Sequence, residues 1–435
     1  MVTNRRLLFL TVPLLLLPAA WGITSHHHHH ARHNPSPTPF RPGFNISSVL
    51  TLATLLPSHS WEFGTASEAL LEIYSPSLSV FGSSTPFLAS HASPASVPAL
   101  KYAKSKIVIG TGANGLSDGD GAVGDPASLG VFAVMLGGVY GDAARGEVEY
   151  LLGLHRGGGM ERFRRGLTFL SFGVFFPPVL KMCRRGLMMG GRADFVYMAP
   201  PFLAFYGAAT KNASVLQEAV RQCGLYREVL VVNETSGGYA GLWHHIVGPQ
   251  SADKGLWSTG NGWAAAGMTR VLGTVMKAPQ GLFGRGYGGK GGMTKEEAVR
   301  DLGVWIKEIL DGAMRTSMDG GLLRNYLDDP SNSDGHGYGE VSGTAMLASV
   351  AYRVAVLLPK VFGREYVDWA EGVRGVIGHG GHVTGNGTVV PTVNPLNWGD
   401  TKPYTAGSPE GQCFVVLMYA AWRDCVYAGV CSAPE

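Results

Sequence analysis

At 435 residues the chain is long enough for one large domain or two ordinary ones, and 45% hydrophobic against 15% charged residues supplies a sizeable core. A formal charge of +3 with no basic stripe excludes a nucleic-acid partner. The five cysteines include no CxxC pair, and at least one stays unpaired if every bridge is internal, although Cys425 and Cys431 lie close enough for a C-terminal loop bridge.

Arg5 and Arg6 precede the apolar run Leu7–Leu17, and Ala20-Trp21-Gly22 offers a cleavage site, so residues 1–22 read as a signal peptide and the protein as secreted and extracellular. That run is too short to favour a membrane span, and the longest other candidate, 167–180, is interrupted by Pro177 and Pro178, so no membrane partner is expected. Sequons at Asn45, Asn212, Asn233 and Asn386 agree with export and with a glycoprotein. Residues 23–59 read as a flexible leader, Pro- and Ser-rich from 33 to 42. The run His26–His30 is taken as part of that leader in preference to a weak metal site.

From Trp61 onward the pattern is helical. Thr65–Tyr74 aligns Ala66, Ala69, Leu70 and Ile73, and Pro126–Tyr140 is nearly all apolar, suited to an inner layer. Asn212–Leu225 aligns Leu216, Ala219, Val220 and Cys223. Thr294-Lys295-Glu296-Glu297 is a capping box opening a helix whose stripe is Ala298, Leu302, Trp305, Ile309 and Leu310. Further helices fit Trp263–Met276, Gly343–Leu358, Glu365–Ile377 and Pro409–Trp422. Glycine-rich loops at 255–262, 333–343 and 394–411 carry aromatic and acidic residues, and no fixed repeat is visible. Helix pairs joined by such loops fit an all-α toroid over 60–435 better than a small bundle or a solenoid, with an atypical segment at 157–191 that mixes an apolar run with paired arginines and glycines.

Five stretches carry candidate chemistry. Asp194 precedes Phe195, Val196, Tyr197 and Met198, either as a helix-start acid facing solvent or as a carboxyl kept protonated by apolar neighbours so that it can give up a proton. Asp125 before Pro126 fits a helix start equally well. Trp243, His244 and His245 stand together in GLWHHIVG. Trp257 and Trp263 flank Thr259 and Gly260-Asn261-Gly262. The set suits sugar stacking and hydroxyl binding, or a glycine turn pinned by core indoles. Glu340 in GEVSGTAM is expected to cap a helix.

Taken in order, WEFGTASEALLEIYSPSLSVFG, DGDGAVGDPASLG, ADFVYMAPPFLAFYG, GLWHHIVG, WSTGNGWAAAG, LLRNYLDD, GEVSGTAM and SPEGQCFVVLMYAAW resemble the unsaturated rhamnogalacturonyl hydrolases over about residues 60–425. These are six-hairpin glycosidases of glycoside hydrolase family 105, close to family 88, and the likeness is greatest to the secreted fungal branch. The resemblance implies an (α/α)6 barrel with its site at the loop-rich end, Asp194 as general acid and base, and Asp125 as its carboxylate partner. It also implies that His245 contacts the uronyl unit, and that Trp257 and Trp263 line the sugar subsite with Asn261 and Thr259 beside them. The partner implied is an oligosaccharide ending in an unsaturated uronyl unit, and the enzyme expected is a monomer that hydrates it at C4=C5 without a metal or cofactor. On this reading Asp125 raises the proton affinity of Asp194 by like-charge repulsion. Two departures bear on the site. Thr259 stands where bacterial members carry a carboxylate-binding Arg, and Arg192 stands where an aromatic residue is usual. Alternatives are a six-hairpin glycosidase of saturated glycans, for which Asp328-Asp329 is a tempting pair except that adjacent residues point apart and do not address one bond together, and a sugar-binding homologue without turnover.

Overall fold

Twelve α-helices among the described residues alternate between two environments, and local sequence explains which is which. The computed structural model describes residues 36–88, 93–110, 114–116, 122, 124–153, 191–233, 238–248, 251–284, 292–331 and 335–433. The even-numbered helices are α2 (Ser60–Tyr74), α4 (Gly130–Leu136), α6 (Phe195–Ala209), α8 (Ser258–Lys277), α10 (Val341–Leu357) and α12 (Pro409–Tyr427). They are buried nearly all round, as their small and apolar composition requires. The odd-numbered helices are α1 (Ile46–Leu55), α3 (Pro98–Lys106), α5 (Gly138–Leu151), α7 (Ala213–Leu230), α9 (Lys295–Arg315) and α11 (Arg364–His379). Each of these buries one stripe. The even helices pack in a closed ring, α2 to α4 through the 3-10 turn Asp125–Leu129, then α6, α8, α10, α12 and back to α2. Each odd helix backs an inner one, so the chain forms six hairpins in an (α/α)6 barrel. Two short antiparallel ribbons lie between helices: β1 (Gly191–Arg192) with β2 (Ile246–Val247), and β3 (Met318–Asp319) with β4 (Leu322–Leu323).

Several helix starts follow the predicted signals. Thr294 accepts from the Glu297 amide at 3.1 Å while Glu297 accepts from the Thr294 amide at 2.8 Å, the reciprocal box expected for α9. Asn212 caps α7, and the Cys425–Cys431 bridge closes the C-terminal loop. Cys223 and Cys413 are free and buried.

Two expectations are corrected. The leader over 23–59 ends earlier: residues 46–55 are α1, whose Ile46, Val49, Leu50 and Ala53 stripe docks on α12. Phe40 packs on Trp422 at 5.5 Å, and Arg423 Nη1 donates to the Pro37 carbonyl at 2.9 Å. The Pro- and Ser-rich context hid a short but ordinary helical stripe. The continuous helix expected over 126–140 is broken, because Gly137 adopts φ +67°, a left-handed conformation, and turns the chain from α4 into α5. The signal peptide, the histidine run and residues 157–190 of the atypical segment lie outside the described residues.

The close approach of α6 and α8 depends on one glycine. Pro200 and Pro201 bring no N–H to the carbonyls of Val196 and Tyr197, and Gly267 of α8 packs against that stretch. A Cβ at position 267 would lie 2.2 Å from the Val196 carbonyl oxygen, and backbone cannot yield as a side chain can. Gly267→Ala is expected to lower stability by about 1–3 kcal/mol despite its better helix propensity, read as a lower urea midpoint.

Candidate active site

The inner helices all start at one end of the ring, and each puts a polar side chain near its first turn: Glu62, Asp125, Asp194, Thr259, Glu340 and Glu410. Exposed N–H groups at helix starts favour carboxylates there, so the architecture concentrates acids at this mouth. A cavity of about 250 Å3 opens among them, lined by Asp125, Arg192, Asp194 and Glu410 together with the indoles of Trp61, Trp257, Trp263 and Trp398.

Asp194 precedes α6 on a segment held by β1–β2 pairing, where the Ala193 amide donates to the His245 carbonyl at 3.0 Å. Its side chain is 18% exposed and is gripped by Arg192, whose Nη2 donates to Oδ2 at 2.7 Å and whose Nε donates to both oxygens at 3.1 Å. Burial pushes the carboxyl up, but the Arg192 charge and hydrogen bonds outweigh it and hold the group below the ordinary carboxylate range. The expectation of a neutral Asp194 is therefore overturned: the residue that replaced an aromatic at position 192 is a cation paired to it. Asp125 stands at a helix start and accepts from the Ala122 amide at 2.6 Å, and its charge acts on Arg192 instead.

The other expected site residues divide. Trp257 and Trp263 line the cavity, Trp257 Nε1 donating to Asn325 Oδ1 at 3.0 Å and Trp263 packing on Tyr197 and Phe414, each at 4.6 Å. His245 lies fully buried behind the wall, its ring 4.4 Å from Trp257 and 4.8 Å from Trp398. Its Nδ1 bonds Asp253 Oδ2 at 2.8 Å, and burial outweighs that partner to keep the imidazole neutral. Asn261 is spent on structure: its Nδ2 donates to the carbonyls of Trp243 and Trp257 at 3.0 Å, and its Oδ1 accepts from the Trp243 amide at 2.9 Å. Thr259 is buried and turned toward Glu340, donating at 3.2 Å, so neither Asn261 nor Thr259 meets the cavity as the resemblance implied. Glu340 caps α10 as expected, accepting from the Gly343 amide at 2.6 Å.

Asp328 and Asp329 support loops, accepting from the Leu256 amide at 3.0 Å and from the Ser331 and His336 amides at 2.8 and 3.0 Å. They border a separate cleft of about 360 Å3 beyond Trp398, away from Asp194. Sequence reasoning passed over Trp61, Trp398 and Glu410. Glu410 reads locally as one more first-turn acid, and only its buried surroundings set it apart. Its Oε1 accepts from Trp61 Nε1 at 3.0 Å, and its Oε2 is buried with no hydrogen-bond partner. Burial, reinforced by Glu62, pushes it up to about 8.

A profile described as Glycosyl Hydrolase Family 88 matches residues 193–405, opening at the Ala193-Asp194 pair. Three solved structures share the fold. A family 105 glycoside hydrolase from C. acetobutylicum is 12% identical, covers 87% of this chain and 99% of its own, and superposes with a TM-score of 0.55. An unsaturated glucuronyl hydrolase specific for heparin is 11% identical over 89% and 97%, TM-score 0.54. A polysaccharide lyase is 14% identical over 90% and 99%, TM-score 0.57. At such identities the structures testify to the barrel and leave chemistry to the site. No curated protein matches the sequence. The matching profile, the ring of six hairpins and the acid-lined mouth agree: the chain is a glycosidase of the glycoside hydrolase family 88/105 group.

Proposed function

We propose that this protein is a secreted, monomeric enzyme that removes a 4,5-unsaturated uronyl residue from lyase-generated oligosaccharides by hydrating the C4=C5 double bond. The observation that carries the reading is the cavity itself, where one guanidinium, Arg192, faces carboxyl groups and four indoles. Indole faces suit sugar rings, and a planar cation suits a uronate carboxylate. Thr259 is engaged with Glu340, so Arg192 takes over carboxylate recognition from the position where bacterial relatives carry arginine. Asp194, ionised beside it, stabilises positive charge developing at C5 and takes the proton of the attacking water. Exposure of Asn45, Asn212, Asn233 and Asn386 is compatible with glycosylation during export.

The test is incubation with lyase-generated unsaturated oligosaccharides while following the ultraviolet absorbance of the conjugated double bond. No loss of absorbance on any such substrate overturns the proposal. The Arg192–Asp194 pair favours one second reading, a sugar-binding homologue without turnover, which calorimetric binding with unchanged absorbance would establish. Arg192→Gln is expected to raise KM for the unsaturated uronide about 10- to 100-fold, the worth of a charge-assisted hydrogen bond or two. KM for the uronate methyl ester should hardly change, and Arg192→Lys should rescue poorly because an ammonium lacks the planar fork.

A further inference from the structure

Arg192 is the only cation lining the cavity among the described residues, and in the resting enzyme it is already neutralised. Its Nε and Nη2 hold both oxygens of Asp194, so the pair carries no net charge. A uronate brings a second anion into the same space of about 250 Å3. One cation cannot balance two carboxylates there, and an uncompensated buried charge is costly. The other groups facing Asp194 give no relief. Asp125 before α4 and Glu410 on α12 are carboxyls on the same wall, and Trp257 and Trp263 carry no charge. His245, behind the wall, is kept neutral by burial. Burial also favours the neutral form of Asp194, and Arg192 is the largest influence against it. Once Arg192 is engaged by a bound carboxylate, burial prevails.

We propose that a bound uronate draws Arg192 away from Asp194 and that Asp194 responds by taking up a proton from solvent, so the substrate's own carboxylate loads the acid that attacks its double bond. The inference rests on the unsaturated-uronyl reading and says how the acid of that reading acquires its proton. Arg192 is thus a positioning residue as well as a carboxylate ligand. An aromatic side chain at this position could neither hold Asp194 ionised at rest nor pass to the substrate.

The sequence of steps balances. Asp194 and one solvent proton form the neutral carboxyl as the uronate binds Arg192. Its O–H bond breaks while the π pair of C4=C5 forms a C4–H bond, leaving positive charge on C5 and the ring oxygen and negative charge on Asp194. Water adds to C5 and gives a proton to Asp194. The hemiketal opens to a C5 ketone, and the C1 hemiacetal releases the neighbouring sugar as an alcohol. As the product leaves, Arg192 pairs again with Asp194 and the proton returns to solvent, so the net change consumes one water.

The experiment is calorimetry in buffers of different ionisation heat, which counts protons taken up per ligand, with a saturated uronyl disaccharide as the probe. At about pH 6 the wild type should take up about one proton per disaccharide, and the uronate methyl ester should bind with none. Binding raises the proton affinity of Asp194, so affinity is lost as pH rises. From 3.8 upward, where resting Asp194 is ionised, Kd for the uronate should increase about tenfold per pH unit until the value in the complex is reached. Asp194→Asn should bind the uronate about tenfold more tightly than wild type, because no charge competes for Arg192, and without proton uptake. Arg192→Gln should bind it more weakly, also without uptake, because its Asp194 is protonated before the ligand arrives. A purely structural Arg192–Asp194 pair would give neither change. Uronate binding to wild type without uptake overturns the proposal. So does uptake that persists in Asp194→Asn, and so does a uronate that fails to bind. Uptake by a wild type inert toward every unsaturated oligosaccharide upholds the coupling and overturns the hydration reading. Turnover of those substrates with no uptake on binding does the reverse.

Discussion

Asp194→Asn is expected to lower kcat on unsaturated oligosaccharides by at least about 10³-fold while leaving the circular-dichroism spectrum unchanged. An amide cannot take the proton from attacking water, nor offer a full negative charge to the cationic centre at C5. The fold tolerates the change because the side chain sits at the cavity wall, and its only hydrogen-bonding residue among the described contacts other than local backbone is Arg192. A pH signature accompanies the loss. The Arg192 pairing holds the folded carboxyl below its unfolded value of 3.8, so its stabilisation is present above 3.8 and disappears as pH falls through the folded value. In Asp194→Asn that acid-side decline should shrink. Full activity in the variant, followed by loss of double-bond absorbance, would remove Asp194 from the reaction.

The largest expected stability effect lies deeper in the barrel. Glu72, 1% exposed on α2, accepts from Arg270 Nη2 of α8 and from Arg353 Nη2 of α10, both at 2.6 Å. Arg270 also reaches Glu68 at 2.8 Å, and Arg353 reaches Asp424 of α12 at 2.6 Å. Four inner helices are thus tied through one buried charge network. Glu72→Ala removes the shared anion and leaves two buried guanidiniums each short of a partner, a cost of about 3–5 kcal/mol. Against a total of about 5–15 kcal/mol for a typical domain, that is a large share of the whole stability. Urea unfolding monitored by tryptophan fluorescence measures it. The Arg364–Asp368 pair is of similar length, 2.7 Å, but 64% and 59% exposed, and breaking it should leave the midpoint unmoved. An equal loss at both sites would refute a special role for the buried network.

Helix starts and the inner-outer alternation are local properties, governed by which side chain can reach an amide three residues on and by how wide an apolar stripe runs along a helix. Hence Thr294 and Glu340 appear as caps where the sequence places them, and α8, α10 and α12 are buried as their composition demands. Trp257, Trp263, Asp125 and Asp194 do converge on one cavity. Helix α1 was obscured because a single buried stripe of ten residues is weak beside a Pro-rich neighbourhood, and it has meaning only against α12.

The protonation states lay beyond the sequence. A carboxyl's charge depends on its depth and on which charges face it, and those are set by contacts between distant segments. Asp194 is ionised because β1–β2 pairing aligns its segment and Arg192 folds back onto it. Glu410 is neutral because closure of the ring brings Trp61 and Glu62 to it from 349 and 348 positions away. Composition and periodicity dictated paired helices with acids and aromatics in the loops between them, since helix formation and burial patterns are encoded within a few turns. Which of those acids keeps a proton was decided only when the six hairpins closed, because electrostatic free energy follows distance in space and exclusion of water, and neither is written in residue spacing.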